Sequence, residues 1–137
     1  MRIIKFRAWD ENAEVMFYSD QDKGDYYFFL DTDGLHAGCP ELTYSSGPME
    51  PPQYEHREVG NIMQYTGLFD KNGKEIYESD IMIAMINSTL AEAEVKFYNG
   101  CFYLQHIGVE KMAVPLAEQH YWQEIIGNIY ENPELLK

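Results

Sequence analysis

The sequence predicts an all-β, mainly antiparallel fold: a small barrel or meander with short helical turns and two sub-sheets sharing a core. Three observations carry this. Short runs of alternating apolar and polar residues recur roughly every 8–12 residues, as in small β proteins. Aromatic residues make up 15% of the chain, with 11 tyrosines, and such side chains suit half-buried pleated surfaces. Clusters of Asn, Asp and Gly separate the runs, and no heptad or internal repeat interrupts them.

The first strand is predicted where Ile4, Phe6 and Ala8 alternate with Lys5, Arg7 and Trp9, a period of two. Asp10-Glu11-Asn12 breaks it, and Val15 to Tyr18 resumes it as the second arm of a hairpin. Tyr26 to Leu30 is a dense aromatic run between Lys23-Gly24-Asp25 and Asp31-Thr32-Asp33-Gly34, and it reads as a short strand between turns. Periodicity then disappears over 35–56, where Pro40, Gly47, Pro48, Pro51 and Pro52 gather with Ser45 and Ser46. Proline fixes φ and removes a backbone donor, so this stretch is expected to be a loop and a seam. The chain is therefore expected to be one domain over 1–137. Within it stand an N-terminal meander (1–34), a Pro/Gly-rich loop (35–56) and a barrel-like C-terminal half (57–137).

The second half alternates more regularly. Asn61 to Thr66 reads as a strand, followed by Asp70-Lys71-Asn72-Gly73, whose Asn-Gly pair favours a tight hairpin turn. Ile76 and Tyr77 lead into an apolar run from Asp80 to Ile86. Val95 and Phe97 alternate with Glu94, Lys96 and Tyr98, and Asn99-Gly100 signals a turn before Cys101 to Ile107. Met112 to Leu116 and Ile125 to Tyr130 are further strands, and 132–136 is expected to form a single helical turn.

Formal net charge is −13. Residues 10–58 hold twelve acids against Lys23 and Arg57, a local balance of −10. Such a field repels phosphate backbones and anionic membranes, which disfavours direct nucleic-acid binding. Charge interrupts Met1-Arg2-Ile3-Ile4-Lys5 at once, so no secretory leader is expected. No run approaches the ~20 apolar residues of a spanning helix. The two cysteines, Cys39 and Cys101, are expected to be reduced in a cytosolic setting, with a bridge between them left open.

Three segments resemble one family. Ile4-Lys5-Phe6-Arg7-Ala8-Trp9-Asp10 is similar to the opening of the YopX family of small bacteriophage and prophage proteins. The block from Met63 to Glu78, with Gln64, Tyr65, Thr66, Gly67, Asp70, Asn72, Gly73 and Tyr77, is similar to its signature. The segment from Ile126 to Leu135, with Gly127, Asn128, Tyr130, Asn132 and Pro133, is similar to its tail. The resemblance implies a phage or prophage origin, hence the bacterial host cytoplasm, an all-β fold and no established activity. One departure stands out: Ser79 precedes Asp80 where the family usually carries glycine. If that position has φ > 0, serine there is strained.

Candidate chemistry is sparse. Asp31-Thr32-Asp33-Gly34 and the Asp70 turn lack the ligand spacing of a calcium loop and read as turns. His36, Cys39, His56, Cys101, His106 and His120 form no local zinc-ligand pair. No nucleophile or general-base motif is present, so neither a cofactor nor catalysis is expected. Asp80 is expected to bond nearby backbone N–H groups and fix its turn. Gln64, Thr66 and Asn128 are expected to satisfy strand ends, while Trp9, Tyr65, Tyr77, Phe97, Tyr103 and Tyr130 read as core.

Tyr26-Tyr27-Phe28-Phe29 is different, because four consecutive aromatics put two on each face of a strand. One pair must face away from its own core, which marks this segment as the candidate association surface. A non-enzymatic protein-binding module is the leading reading, with an unidentified protein partner and homo-oligomerisation also open. The alternatives are an acidic nucleic-acid mimic that blocks a host DNA-binding enzyme, and a small-barrel nucleic-acid binder using Arg2, Lys5 and Arg7.

Overall fold

A computed structural model describes residues 3–22, 24–44, 47–117 and 122–136. Arg2, Lys23, Ser45, Ser46 and His120, which figured in the expectations above, lie outside them. The chain forms two units, one of Lys5–Ile62 and one that joins the N-terminal residues to Met63–Lys137. The division therefore falls at Ile62/Met63, not within 35–56.

In the first unit, β1 (Phe6–Asp10) and β2 (Val15–Tyr18) make an antiparallel hairpin in which Ala8 faces Phe17. β3 (Tyr27–Asp31), β4 (Gly34–Tyr44) and β5 (Gln53–Val59) form a three-stranded antiparallel sheet in that order. Ala8, Phe17, Ala37, Cys39 and Val59 are its buried cluster, with Tyr26, Phe28 and Ile62 packed against them.

Most of the stretch expected to be a loop over 35–56 is thus strand. Pro40 shows how a proline is tolerated there. β3 reaches only as far as Tyr27, opposite Gly38, so at Pro40 the strand β4 has only β5 beside it. A proline lacking its N–H belongs at such a local edge. Irregularity is confined to the connection that carries Gly47, Pro48, Pro51 and Pro52, and to a register shift between Leu42 and Tyr44.

In the second unit, β6 (Ile62–Phe69), which begins on the last residue of the first, pairs with β7 (Glu75–Tyr77). β8 (Asp80–Ile86), β9 (Thr89–Tyr98), β10 (Cys101–His106), β11 (Ala113–Pro115) and β12 (Glu124–Asn128) build a five-stranded sheet ordered β11-β10-β9-β8-β12. Every pairing is antiparallel. Its buried cluster is Ile76, Met82, Ala84, Ile86, Ala93, Val95 and Leu104. The apolar residues thus gather into one cluster per unit. Among the described residues the helical element is one 3-10 turn, Pro133–Leu136. The fold class is all-β and antiparallel, as the alternation predicted.

The tail motif has a steric logic. A Cβ on Gly127 would stand 2.5 Å from Asn132 Oδ1 and 3.0 Å from Leu135 Cδ1. Glycine lets the Asn132 turn close against β12, and the Asn128 N–H donates to Asn132 Oδ1 at 3.2 Å. The Asn128 side chain in turn accepts the N–H groups of Tyr130 and Glu131.

Ser79 has φ +70°, in the left-handed region that favours glycine. Two backbone bonds hold it there, Ser79 N–H to Val95 O at 2.8 Å and Ile129 N–H to Ser79 O at 3.0 Å. Beside it, Asp80 is buried and its Oδ2 accepts the Tyr77 N–H at 2.8 Å. Ser79→Gly is therefore expected to stabilise the protein by about 0.5–1 kcal/mol, because it relieves the strain at little cost elsewhere. A rise in the urea midpoint at unchanged slope would show this.

Candidate functional site

The Tyr26–Phe29 run sits where β3 must choose sides. Tyr26 and Phe28 turn inward onto Phe17, with ring centroids at 4.2 and 5.2 Å. Tyr27 and Phe29 face the opposite way. The register carries that outer face across the sheet, because Tyr27 pairs with Gly38, Phe29 with His36, Gly38 with Glu58, and Pro40 with His56. Tyr27, Phe29, His36, His56 and Glu58 therefore share one surface, with Asp31 at its corner.

The rings are held in contact. Phe29 stacks on His36, with centroids 5.0 Å apart and planes 12° from parallel. Phe29 also meets His56 edge-on at 5.4 Å, and Tyr27 lies 5.5 Å from the same imidazole. The Tyr27 hydroxyl and His56 Nδ1 are hydrogen-bonded. Gly38 makes this possible. A Cβ there would collide with His56 Cε1 and stand 2.8 Å from the Arg57 carbonyl oxygen, so the imidazole occupies the space that a side chain on residue 38 would fill.

Two carboxylates complete the array. His36 reaches Asp31 Oδ1 through Nε2 and Glu58 Oε1 through Nδ1, both at 2.9 Å. His56 Nε2 lies 3.5 Å from the same Glu58 oxygen. The bond to Asp31, reinforced by Glu58, raises the pKa of His36 and favours its imidazolium. Asp31 is lowered, first by the Asp33 N–H on its Oδ1 at 2.7 Å and then by His36. The surface remains accessible: Tyr27 is 37% exposed, and Tyr54 and Leu42, paired further along β5 and β4, are 59% and 55% exposed.

Beneath, on the inner face, Asp10 is 1% exposed. Its Oδ2 accepts from Arg57 Nη2 at 2.8 Å and from the Tyr26 hydroxyl at 2.7 Å. Its Oδ1 accepts from Arg57 Nη1 at 3.2 Å and from the N–H groups of Asn12 and Ala13. Arg57, first among these donors, holds the Asp10 carboxyl well below the usual carboxylate range. Burial and the bond to Asp10 push the Tyr26 phenol up to about 12. Arg57 Nη2 also lies 3.1 Å from Cys39 Sγ, whose thiol burial pushes up.

The remaining predicted residues divide by unit. Tyr65 and Tyr77 are core, Trp9, Tyr103 and Tyr130 are half-buried, and Phe97 is 51% exposed, so the expectation that it is core is corrected. The Thr66 hydroxyl donates to the Ile76 carbonyl at 2.8 Å, and the Gln64 N–H donates to the Glu78 carboxylate. Gly67 has φ +88° within β6, where its pairing with β7 slips between Tyr65 and Phe69. Asp70 binds the N–H groups of Asn72 and Lys74 through one oxygen, and Gly73 closes that turn with φ +80°. Cys39 and Cys101 are free thiols.

Sequence reading missed His36 and His56 as partners of the outward aromatics. The signal was there: Tyr54, His56 and Glu58 alternate with Glu55, Arg57 and Val59. Neighbouring prolines obscured it. Of the basic residues proposed for nucleic acid, Arg7 is 4% exposed and Lys5 pairs with Asp20 at 3.2 Å, while Arg2 lies outside the described residues. Among the described residues no group of three or more His, Cys, Asp or Glu is arranged to hold a metal ion. No helix among them is long and apolar enough to cross a membrane.

A small antiparallel β protein with two core clusters and an aromatic–histidine sheet face is the class of molecule these features define. A family model described as YopX protein matches residues 5–137, and the chain belongs to the YopX family. It is similar to the crystal structure of protein EF1440 from Enterococcus faecalis, with a TM-score of 0.60 and 26% identity over 100% of both chains. It shares its fold with the crystal structure of protein yopX from Bacillus subtilis, with a TM-score of 0.60 and 23% identity over 100% of both chains. No curated protein matches the chain.

Proposed function

We propose that this protein is a non-enzymatic binding module of a phage or prophage, acting in the host cytoplasm, and that it docks another protein through the outer face of β3–β4–β5. The observation behind this reading is the Tyr27–Phe29–His36–His56 cluster. Aromatic side chains in fixed rotamers give large contact area at low entropic cost, which is why they anchor interfaces. Here four rings are pre-ordered by one another and by Gly38 while Tyr27 stays accessible.

The test is the double variant Tyr27→Ser/Phe29→Ser. It is expected to keep its near-native circular dichroism, since both rings lie off the core cluster, and to lose partner capture from prophage-induced cells. Capture at wild-type level by a folded double variant would overturn the reading. A second reading, nucleic-acid mimicry, is favoured by the −10 balance over residues 10–58. It requires binding to a basic host enzyme that weakens steeply with salt and survives the double substitution.

A further inference from the structure

We propose that the outer face of β3–β4–β5 takes a cationic protein segment, seating an arginine side chain against the Tyr27 and Phe29 rings and on the Glu58 carboxylate. This rests on the docking reading above and names the chemistry of the occupant.

Three observations select a cation. A guanidinium gains from aromatic faces and from a carboxylate fork together, and this surface offers both side by side. Among the described residues, both contacts of Glu58 fall on Oε1. Its Oε2 is left to accept a donor from outside, and Glu58 is 57% exposed in its side chain. Last, the surrounding stretch carries twelve acids against two bases, so the field steers positive segments toward the face.

Other occupants fit less well. An apolar segment would strip water from Asp31 and Glu58 without replacing their hydrogen bonds. A second copy brings another −13 charge to the same place, and an anionic chain meets the same repulsion.

His36 makes the site sensitive to pH. Its imidazole stands on Phe29 between Asp31 of β3 and Glu58 of β5, with His56 of β5 on the other side of the Glu58 oxygen. While protonated it supplies the counter-charge that an incoming arginine would supply. As pH rises and His36 loses its proton, the carboxylates lose that partner and the external cation binds more tightly. His36→Gln should flatten the dependence.

The experiment uses the full chain and a capped peptide, Arg-Thr-Arg-Thr-Arg, with a citrulline-for-arginine peptide as the neutral control, in titration calorimetry. Saturable binding is expected, tighter at pH 8 than at pH 5.5, and about tenfold weaker with citrulline. Phe29→Ser and Glu58→Gln should each weaken it about tenfold, while Asp22→Asn, an exposed acid elsewhere in the same unit, should leave it unchanged. Glu58→Gln is isosteric and exposed, so it keeps the test valid should Phe29→Ser fold poorly. Equal affinity for the citrulline peptide, or equal losses in Asp22→Asn and Glu58→Gln, would overturn the proposal. So would a Phe29-dependent dimer in sedimentation, which would assign the face to a second copy. If partner capture is lost in the Tyr27/Phe29 double variant yet ignores both salt and Glu58→Gln, the cationic assignment fails and the docking face stands. If capture survives the double variant, both fail.

Discussion

Replacing Arg57 with methionine is expected to lower the unfolding free energy by about 3 kcal/mol. Removing one member of a buried pair strands the other, which typically costs about 3–5 kcal/mol. Asp10 is the stranded partner, at 1% exposure. The loss falls toward the lower end because the Tyr26 hydroxyl and the N–H groups of Asn12 and Ala13 still donate to its carboxylate. Methionine preserves much of the arginine stem, so packing is changed least. Urea unfolding at pH 7 measures the loss, and the double variant Asp10→Asn/Arg57→Met should recover part of it. A single-variant loss below about 1 kcal/mol would mean that water reaches Asp10 and that the pair behaves as a surface bridge.

The same pair sets the sign of the acid response. The folded carboxyl of Asp10 titrates below its unfolded value, so its stabilising contribution is complete above about pH 4 and is lost as pH falls further. Wild type should therefore lose stability more steeply below pH 4 than Arg57→Met. At the alkaline end the sign reverses. Tyr26 is raised from 10.0 to about 12, so its contribution is present below pH 10 and lost as pH rises through that window. His36, also raised, contributes at low pH and loses its share as pH rises through its folded value.

Local rules made some of this architecture legible and hid the rest. Strands with clean alternation and Asn-Gly turns were readable, because a two-residue turn with φ > 0 has few suitable sequences. Asn99-Gly100 turns Tyr98 back onto Cys101, with φ of +48° and +79°. Asn87-Ser88 does the same between Ile86 and Thr89, with φ of +49° and +68°. Serine gives no such cue, so the start of β9 was invisible. Pro40 misled more seriously. Its meaning depends on where β3 ends, and strand termination on a neighbouring chain segment is tertiary information. That one ambiguity hid β4 and β5, and with them the histidines. The outward pair Tyr27 and Phe29 was readable from strand geometry alone, since four adjacent aromatics cannot all face one core. What they would touch was not.

Asp70→Ala is expected to cost about 2–3 kcal/mol, although the residue lies in a turn, where substitutions are usually mild. The carboxylate is 3% exposed. Its Oδ1 accepts the N–H groups of Asn72 and Lys74, both at 2.9 Å, and its Oδ2 accepts the Ile125 N–H at 3.1 Å. Asn72 and Lys74 are exposed, so water can replace what they lose. The Ile125 donor is half-buried on β12, an end strand of the five-stranded sheet, and leaving it unpaired carries most of the cost. Lys71 strengthens the same junction, its N–H donating to the Gln123 carbonyl at 2.9 Å and its ammonium meeting Glu124 at 3.1 Å. The turn therefore caps the outer edge of β12, which would otherwise offer unpaired backbone to another chain. Hydrogen exchange separates this from simple loop loosening. In Asp70→Ala the Ile125 amide should lose protection far more than amides of β9 and β10, whereas Asp70→Asn, which keeps one acceptor oxygen, should fall between. Uniform acceleration across the sheet would reduce Asp70 to an ordinary turn residue.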